Sequence, residues 1–140
     1  MLKPGMSVLD IGCGTGAITA GIAKAVGPEG RAVGIDRDPA LLDIARREHG
    51  AAANLQFEQG DALTLGYHRH FDLATAARVL QWMSEPGTAL ARMAAAVKTG
   101  GLVVVLDYNH EDNRWDPEPP APFLCFYQAF LGWRASNGWN

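Results

Sequence analysis

The residues best equipped for chemistry cluster at the ends of apolar runs. Val8 to Gly16 reads VLDIGCGTG, with Gly12, Gly14 and Gly16 at alternate positions. Glycines there let the backbone turn tightly and approach a ligand closely, because no Cβ intervenes. Asp10 precedes Gly12 by two residues, Asp36 closes a second apolar run, and Gly60-Asp61-Ala62 follows a third. Gly12, Gly14 and Ala17 also satisfy the G-x-G-x-x-G/A spacing of dinucleotide-binding loops, and Asp36 stands where either kind of site would place a carboxylate on ribose hydroxyls. Loop and Asp36 together therefore imply a nucleoside-type cofactor without choosing it. Asp10 and Asp61 narrow the choice. A carboxylate at Asp10 suits a cationic amine and repels a pyrophosphate, and Asp61 can accept from an adenine amino group.

These side chains need a scaffold, and the alternation of apolar runs with helical patterns supplies one. Strands are predicted at 6–11, 31–36, 55–58, 71–75 and 102–107. Ile18, Ile22 and Val26 recur at helical spacing until Gly27-Pro28. Asp38-Pro39 reads as an N-cap with proline at the first helical position, followed by Leu41, Leu42, Ile44 and Ala45. Ser84 opens a helix with Leu90, Met93, Ala94 and Val97 facing inward, and Gly100-Gly101 ends it. Leu102 to Leu106, LVVVL, reads as a strand buried on both faces. Strands alternating with helices of this length predict an α/β fold: a Rossmann-like, doubly wound, mostly parallel sheet of about five strands, with helices on both faces. After the polar, proline-rich stretch 109–122, Phe123, Phe126, Tyr127, Phe130 and Trp133 form an aromatic helical stripe, read as core or interface. Residues 1–140 are expected to be one cofactor-binding domain.

Composition bounds the partners. A net charge of −3 offers no basic face for nucleic acid. No apolar run reaches the length of a membrane span, and the start, MLKPGMSVLDIG, lacks the pattern of a signal peptide. Cys13 and Cys125 are too few for a disulfide framework and lack metal-ligand spacing, so no metal is expected and a reducing, cytoplasmic setting is. Cys13 reads as a small filler in a tight loop rather than a nucleophile. His68 and His70 read as surface residues. Trp82 either lines a substrate pocket or packs beneath the next helix.

The set from Lys3 to about Asp107, with Phe71 to Trp82 (FDLATAARVLQW) and the SEPGTALARMAAAVKTGGLVVVLD that follows, resembles class I S-adenosylmethionine-dependent methyltransferases, particularly those acting on small molecules. The resemblance implies strand order 3-2-1-4-5 and S-adenosyl-L-methionine as cofactor, with S-adenosyl-L-homocysteine as product. Gly12, Gly14 and Gly16 would form the loop beneath the cofactor's methionine and ribose. Asp10 would hold the methionine amino group, directly or through water, and Asp36 both ribose hydroxyls, with Arg37 beside the adenine. Asp61 would meet adenine N6, and the Ala62 amide N1. Ala77 and Arg78 would end the fourth strand next to the sulfonium. The acceptor is expected to be a small molecule, since neither the N/D-P-P-Y/F/W motif of amino-methylating DNA enzymes nor a Pro-Cys pair appears. His110 is the first choice for a general base, should the acceptor have to lose a proton.

Two departures from the family pattern stand out. The family's helices before the first strand, and its last helix and hairpin, have no counterpart in this sequence. A fragment is therefore expected, with the fifth strand an exposed edge through which the chain self-associates or is only marginally stable. Two rival functions remain. One is a non-catalytic S-adenosylmethionine-binding module. The other is a NAD(P)-dependent oxidoreductase, for which no Tyr-x-x-x-Lys pair is found.

Overall fold

A computed structural model describes residues 2–139. The elements follow in the order β1 (Ser7–Ile11), α1 (Ala17–Val26), β2 (Arg31–Asp36), α2 (Pro39–His49), β3 (Leu55–Gln59) and β4 (Phe71–Ala77). A 3₁₀ turn (Leu80–Trp82), α3 (Pro86–Ala96), β5 (Val97–Leu106) and α4 (Ala121–Ser136) complete the chain. All strand pairings are parallel, and the sheet order is β3-β2-β1-β4-β5, as the resemblance implies.

Strand alternation splits the core in two. Along β1, Val8 joins the cluster that α1 and α2 cover through Ile22, Val26, Leu42 and Ala45. Leu9 and Ile11 join the opposite cluster, covered by α3 through Ala89, Met93 and Ala96. Helices thus lie on both faces of the sheet. Local chemistry fixes the helix ends. The Asp38 carboxylate accepts from the Ala40 amide at 2.9 Å, capping α2 as predicted. The Asn54 amide donates to the Ala23 and Gly27 carbonyls at 2.9 and 2.8 Å, satisfying the last turn of α1.

The second half of the chain departs from the sequence reading in phase. Helix α3 is capped at Glu85 with Pro86 first, so its inner face is Ala89, Met93 and Ala96. Leu90, expected inside, is 44% exposed, and Ala94 also faces out. The chain enters β5 directly at Val97, and Gly100-Gly101, expected to end a helix, lie within that strand. There the register against β4 shifts between Phe71 and Leu73, a bulge that absorbs the extra residues. The LVVVL run is not buried on both faces: Leu102, Val104 and Leu106 are 49%, 46% and 68% exposed. Its β-branched composition matches that of a central strand, but among the described residues β5 pairs only with β4. It is the exposed edge that the fragment expectation implied. The aromatic stripe also splits. Tyr127 and Phe130 turn inward, while Phe126 and Trp133 are 65% and 51% exposed. No helix among the described residues is long and apolar enough to cross a membrane.

Candidate cofactor and acceptor site

A cleft of about 320 Å³ opens where β1, β2 and β4 end. Gly12, Asp36, Arg37, Asp61, Ala62 and Arg78 line it on one side. Trp82, Met83, Ser84 and Trp139 close the other. It therefore sits at the carboxyl ends of the strands, where β1 meets β2 on one side and β4 on the other, the switch point at which open α/β sheets bind ligands.

Backbone bonds clamp the glycine loop to β2. The Gly12 and Cys13 amides both donate to the Ile35 carbonyl, at 2.7 and 3.0 Å. The Gly14 amide donates to Asp36 Oδ2 at 2.8 Å, and the Asp38 amide to Asp36 Oδ1 at 3.0 Å. Each Asp36 oxygen thereby keeps a lone pair for a ligand while its orientation is set. Gly12 has φ +65, and a Cβ there would stand 2.4 Å from Val79 Cγ2. Gly16 is fixed from the other side, since a Cβ would meet Phe57 Cζ at 2.5 Å. Gly14 faces open space. Asp61 is exposed at the rim, with its Oδ1 accepting from the Leu63 amide at 2.8 Å, and Ala62 is buried beside it.

Asp10 lies behind the loop, 2% exposed, accepting from Thr19 Oγ1 at 2.6 Å. Burial raises its carboxyl to about 6, against the Thr19 hydrogen bond and with some help from the negative charge of Asp36. The same burial, together with Asp10 and Asp36, pushes the Cys13 thiol up to about 12. A thiol so protonated is a filler, not a nucleophile. Ala77 ends β4 opposite Leu106, and Arg78 follows at φ +61, its amide donating to the Leu106 carbonyl at 2.7 Å. A non-glycine residue held in the left-handed region at the cleft wall is local strain where β4 gives way to the 3₁₀ turn.

The far side of Trp82 carries a second group of polar residues. His110, expected as a solvated loop residue unless catalytic, is half-buried among the rings of Trp82, Tyr108 and Phe130, at centroid distances of 6.2, 5.9 and 5.5 Å. Its Nδ1 lies 3.0 Å from the Tyr127 hydroxyl. Desolvation, then the nearby Arg134 charge, lowers its pKa against the pull of Asp107, favouring the neutral ring. Trp82 fulfils both readings open to it, lining the cleft and packing on Phe130 and Trp139. Two residues went unnoticed in the sequence. Gln81 is 7% exposed. Its side-chain oxygen accepts from the Tyr108 amide at 3.1 Å, and its backbone carbonyl accepts from Arg134 at 2.8 Å. Arg134 follows Tyr127 and Phe130 at helical spacing of seven and four, a placement on the aromatic face legible in principle.

Residues 2–119 match the family model described as a methyltransferase domain. The chain belongs to that family. This methyltransferase domain is 37% identical over 134 residues to a 2-phytyl-1,4-naphtoquinone methyltransferase of Synechococcus elongatus, covering 92% of this chain and 54% of that protein. It is 37% identical to a ubiquinone/menaquinone biosynthesis C-methyltransferase of Ectopseudomonas mendocina, over 80% of this chain and 45% of that one. The chain spans about half the length of these curated relatives. The solved structure of a SAM-dependent methyltransferase from Aquifex aeolicus superposes with a TM-score of 0.74 at 22% identity, covering 99% of this chain and 74% of that one, which shows the shared fold.

Proposed function

We propose that the cleft binds S-adenosyl-L-methionine and that the domain transfers its methyl group to a small-molecule acceptor. The observation that carries this reading is the set of hydrogen-bond acceptors around one glycine loop: Asp36 and Asp61 line the cleft that Asp10 backs. Acceptor groups in that number fit a ligand with two ribose hydroxyls, an adenine amine and an ammonium. Gly12 supports the fit as well, because a Cβ there would collide with Val79, so only glycine lets the loop hold this position at the cleft.

In this reading Asp36, already aligned by the Gly14 and Asp38 amides, takes the ribose hydroxyls. Asp61 and the Ala62 amide meet the adenine edge, with Arg37 beside it. Asp10 balances the ammonium group. Gly14 and Gly16 shape the loop beneath the methionine, and Ala77 and Arg78 border the reacting end. Bound S-adenosylmethionine supplies a methyl group already activated by its positive sulfur. The protein's own work is therefore to orient the acceptor in line and exclude water, with His110 available as a neutral base. The names of the quinone-methylating relatives support a small-molecule acceptor.

Calorimetric titration with S-adenosylmethionine, S-adenosylhomocysteine and NAD tests the reading. Saturable binding of the first two, lost in Asp36→Ala, is expected. Binding of NAD alone would overturn it.

A further inference from the structure

Helix α4 ends over the cleft without belonging to the core. Only Arg134 on it is buried, and neither core cluster contains any α4 residue. A mostly exposed stretch, 107–120, joins it to β5. What docks it on the 3₁₀ turn is Arg134, whose Nη2 donates to the Gln81 carbonyl at 2.8 Å and whose guanidinium lies 5.0 Å from the Trp82 ring centroid. Nη1 has no hydrogen-bond partner, and among the described residues no carboxylate lies within ion-pair distance of it. A guanidinium held this way regains its hydration when the helix lifts, so lifting costs less than drawing an apolar side chain out of the core.

The cap of α4 turns the chain back toward the ligand space. Gly138 sits at φ +70. Its amide donates to the Ala135 carbonyl and the Trp139 amide to the Arg134 carbonyl, both at 3.0 Å, which is a Schellman turn. The turn lays the half-buried Trp139 ring against Trp82 and Trp133, at centroid distances of 5.8 and 5.1 Å and nearly perpendicular to both. Trp139 thereby lines the cleft beside Trp82, Met83 and Ser84, on the side away from Asp36 and Asp61. Every other described residue of the lining falls between Ile11 and Ser84, so α4 contributes this one wall residue and nothing else.

We propose that Trp139 is a ligand-binding residue of the cleft and that α4 is the movable cover that carries it, latched by Arg134. A ligand enters and leaves while α4 is lifted. Once bound, it packs against the Trp139 indole, favours the docked helix and so slows its own release. The indole offers flat apolar area without charge, so its effect falls on residence time. The assignment rests on the proposed methyl-donor reading only for the choice of probe.

The test follows radiolabelled S-adenosylhomocysteine leaving the chain during a chase with unlabelled ligand. Trp139→Ala is expected to speed release roughly tenfold or more, the loss of one large apolar contact, and Trp139→Phe to keep most of the wild-type residence time. Trp115→Ala is the control, since Trp115 packs on Phe123 and Tyr127 at the other end of α4 and lines no part of the cleft. It should release at the wild-type rate. Amide hydrogen exchange reads the cover itself. In the unliganded wild type α4 should exchange faster than β1, S-adenosylhomocysteine should slow α4, and Arg134→Ala should quicken α4 while leaving β1 unchanged. Wild-type release from Trp139→Ala, or equal quickening in Trp115→Ala, would overturn the role of Trp139. An unliganded α4 as protected as β1 would overturn the cover, and this comparison needs no variant. Binding of NAD in place of S-adenosylhomocysteine would sink the methyl-donor reading, and labelled NAD then serves as the probe for the same variants. Where neither binds, the exchange comparison still decides the cover.

Discussion

Replacing Asp10 by asparagine should stabilise the unliganded chain and cripple its ligand binding. The carboxyl is 2% exposed and sits at about 6, against an ordinary 3.8. At roughly 1.4 kcal/mol per pH unit, keeping it ionised at neutral pH costs the fold about 3 kcal/mol. The sign follows from which state holds the proton. A carboxyl raised in the folded state contributes most below pH 3.8, and that contribution is lost as pH rises through about 6. Asparagine mimics the protonated form, keeps an oxygen for Thr19, and escapes the loss. At roughly 2–4 °C per kcal/mol for a chain near 150 residues, Asp10→Asn should melt about 6–12 °C above wild type at pH 7. The gap should close toward pH 4. Scanning calorimetry of both proteins from pH 4 to pH 8 measures it, and subtracting one from the other removes the titration of every other group. In the same series, S-adenosylhomocysteine affinity for wild type should fall as pH drops below 6, and Asp10→Asn should bind at least tenfold more weakly at pH 7. A variant less stable than wild type at pH 7, or a gap that ignores pH, would refute the reasoning.

Three other outcomes are expected. A disulfide reagent at pH 8 should titrate one thiol in the native chain, the exposed Cys125, with Cys13 reacting only in denaturant because its thiol stays protonated and buried. Gly12→Ala should cost about 1–3 kcal/mol in denaturant unfolding, and adding Val79→Ala should recover the steric part while leaving the left-handed backbone cost of about 1 kcal/mol. Sedimentation velocity should show concentration-dependent association that Val104→Lys suppresses by placing a charge on the β5 edge, and a wild-type chain that is monomeric at every concentration would count against that edge as the contact.

The first half of the fold was readable because its signals agree. Asp38-Pro39 marks a helix start, the apolar runs at β1 and β2 are short and bounded by glycines, and the loop residues carry chemistry and turn geometry at once. The second half was harder because one sequence feature admits two structures. Gly100-Gly101 reads as a helix stop, yet here it forms a bulge inside β5. A run such as LVVVL is the same whether a neighbour covers it or not, since composition records propensity and not pairing. In α3 the inward face is Ala89, Met93 and Ala96, so Ala89 and Ala96 take the places expected for Leu90 and Val97 while Met93 is common to both. Near the cleft, Asp36 and Asp61 stand out because each follows the end of an apolar run, and Arg78 enters only through the family resemblance; all three line the cleft. Gln81 and Arg134 were missed because their importance lies in contacts 53 residues apart in the chain.

The first strand of the chain is the middle strand of the sheet. Its partner on one side, β2, begins 24 residues later, pairing Arg31 with Ser7. Its partner on the other side, β4, must wait for Leu73 to reach Val8, and Val79, which seals Gly12, comes later still. During synthesis the loop and Asp36 can form early, but the cleft is not enclosed until Trp82, Met83, Ser84 and then Trp139 have emerged. A ligand of the cleft can therefore reward only the nearly finished sheet, and at a hundredfold excess over its dissociation constant it adds about 2.7 kcal/mol to that state alone. On the proposed reading, the supply of methyl donor governs how long a newly made chain stays folded as well as how fast it turns over.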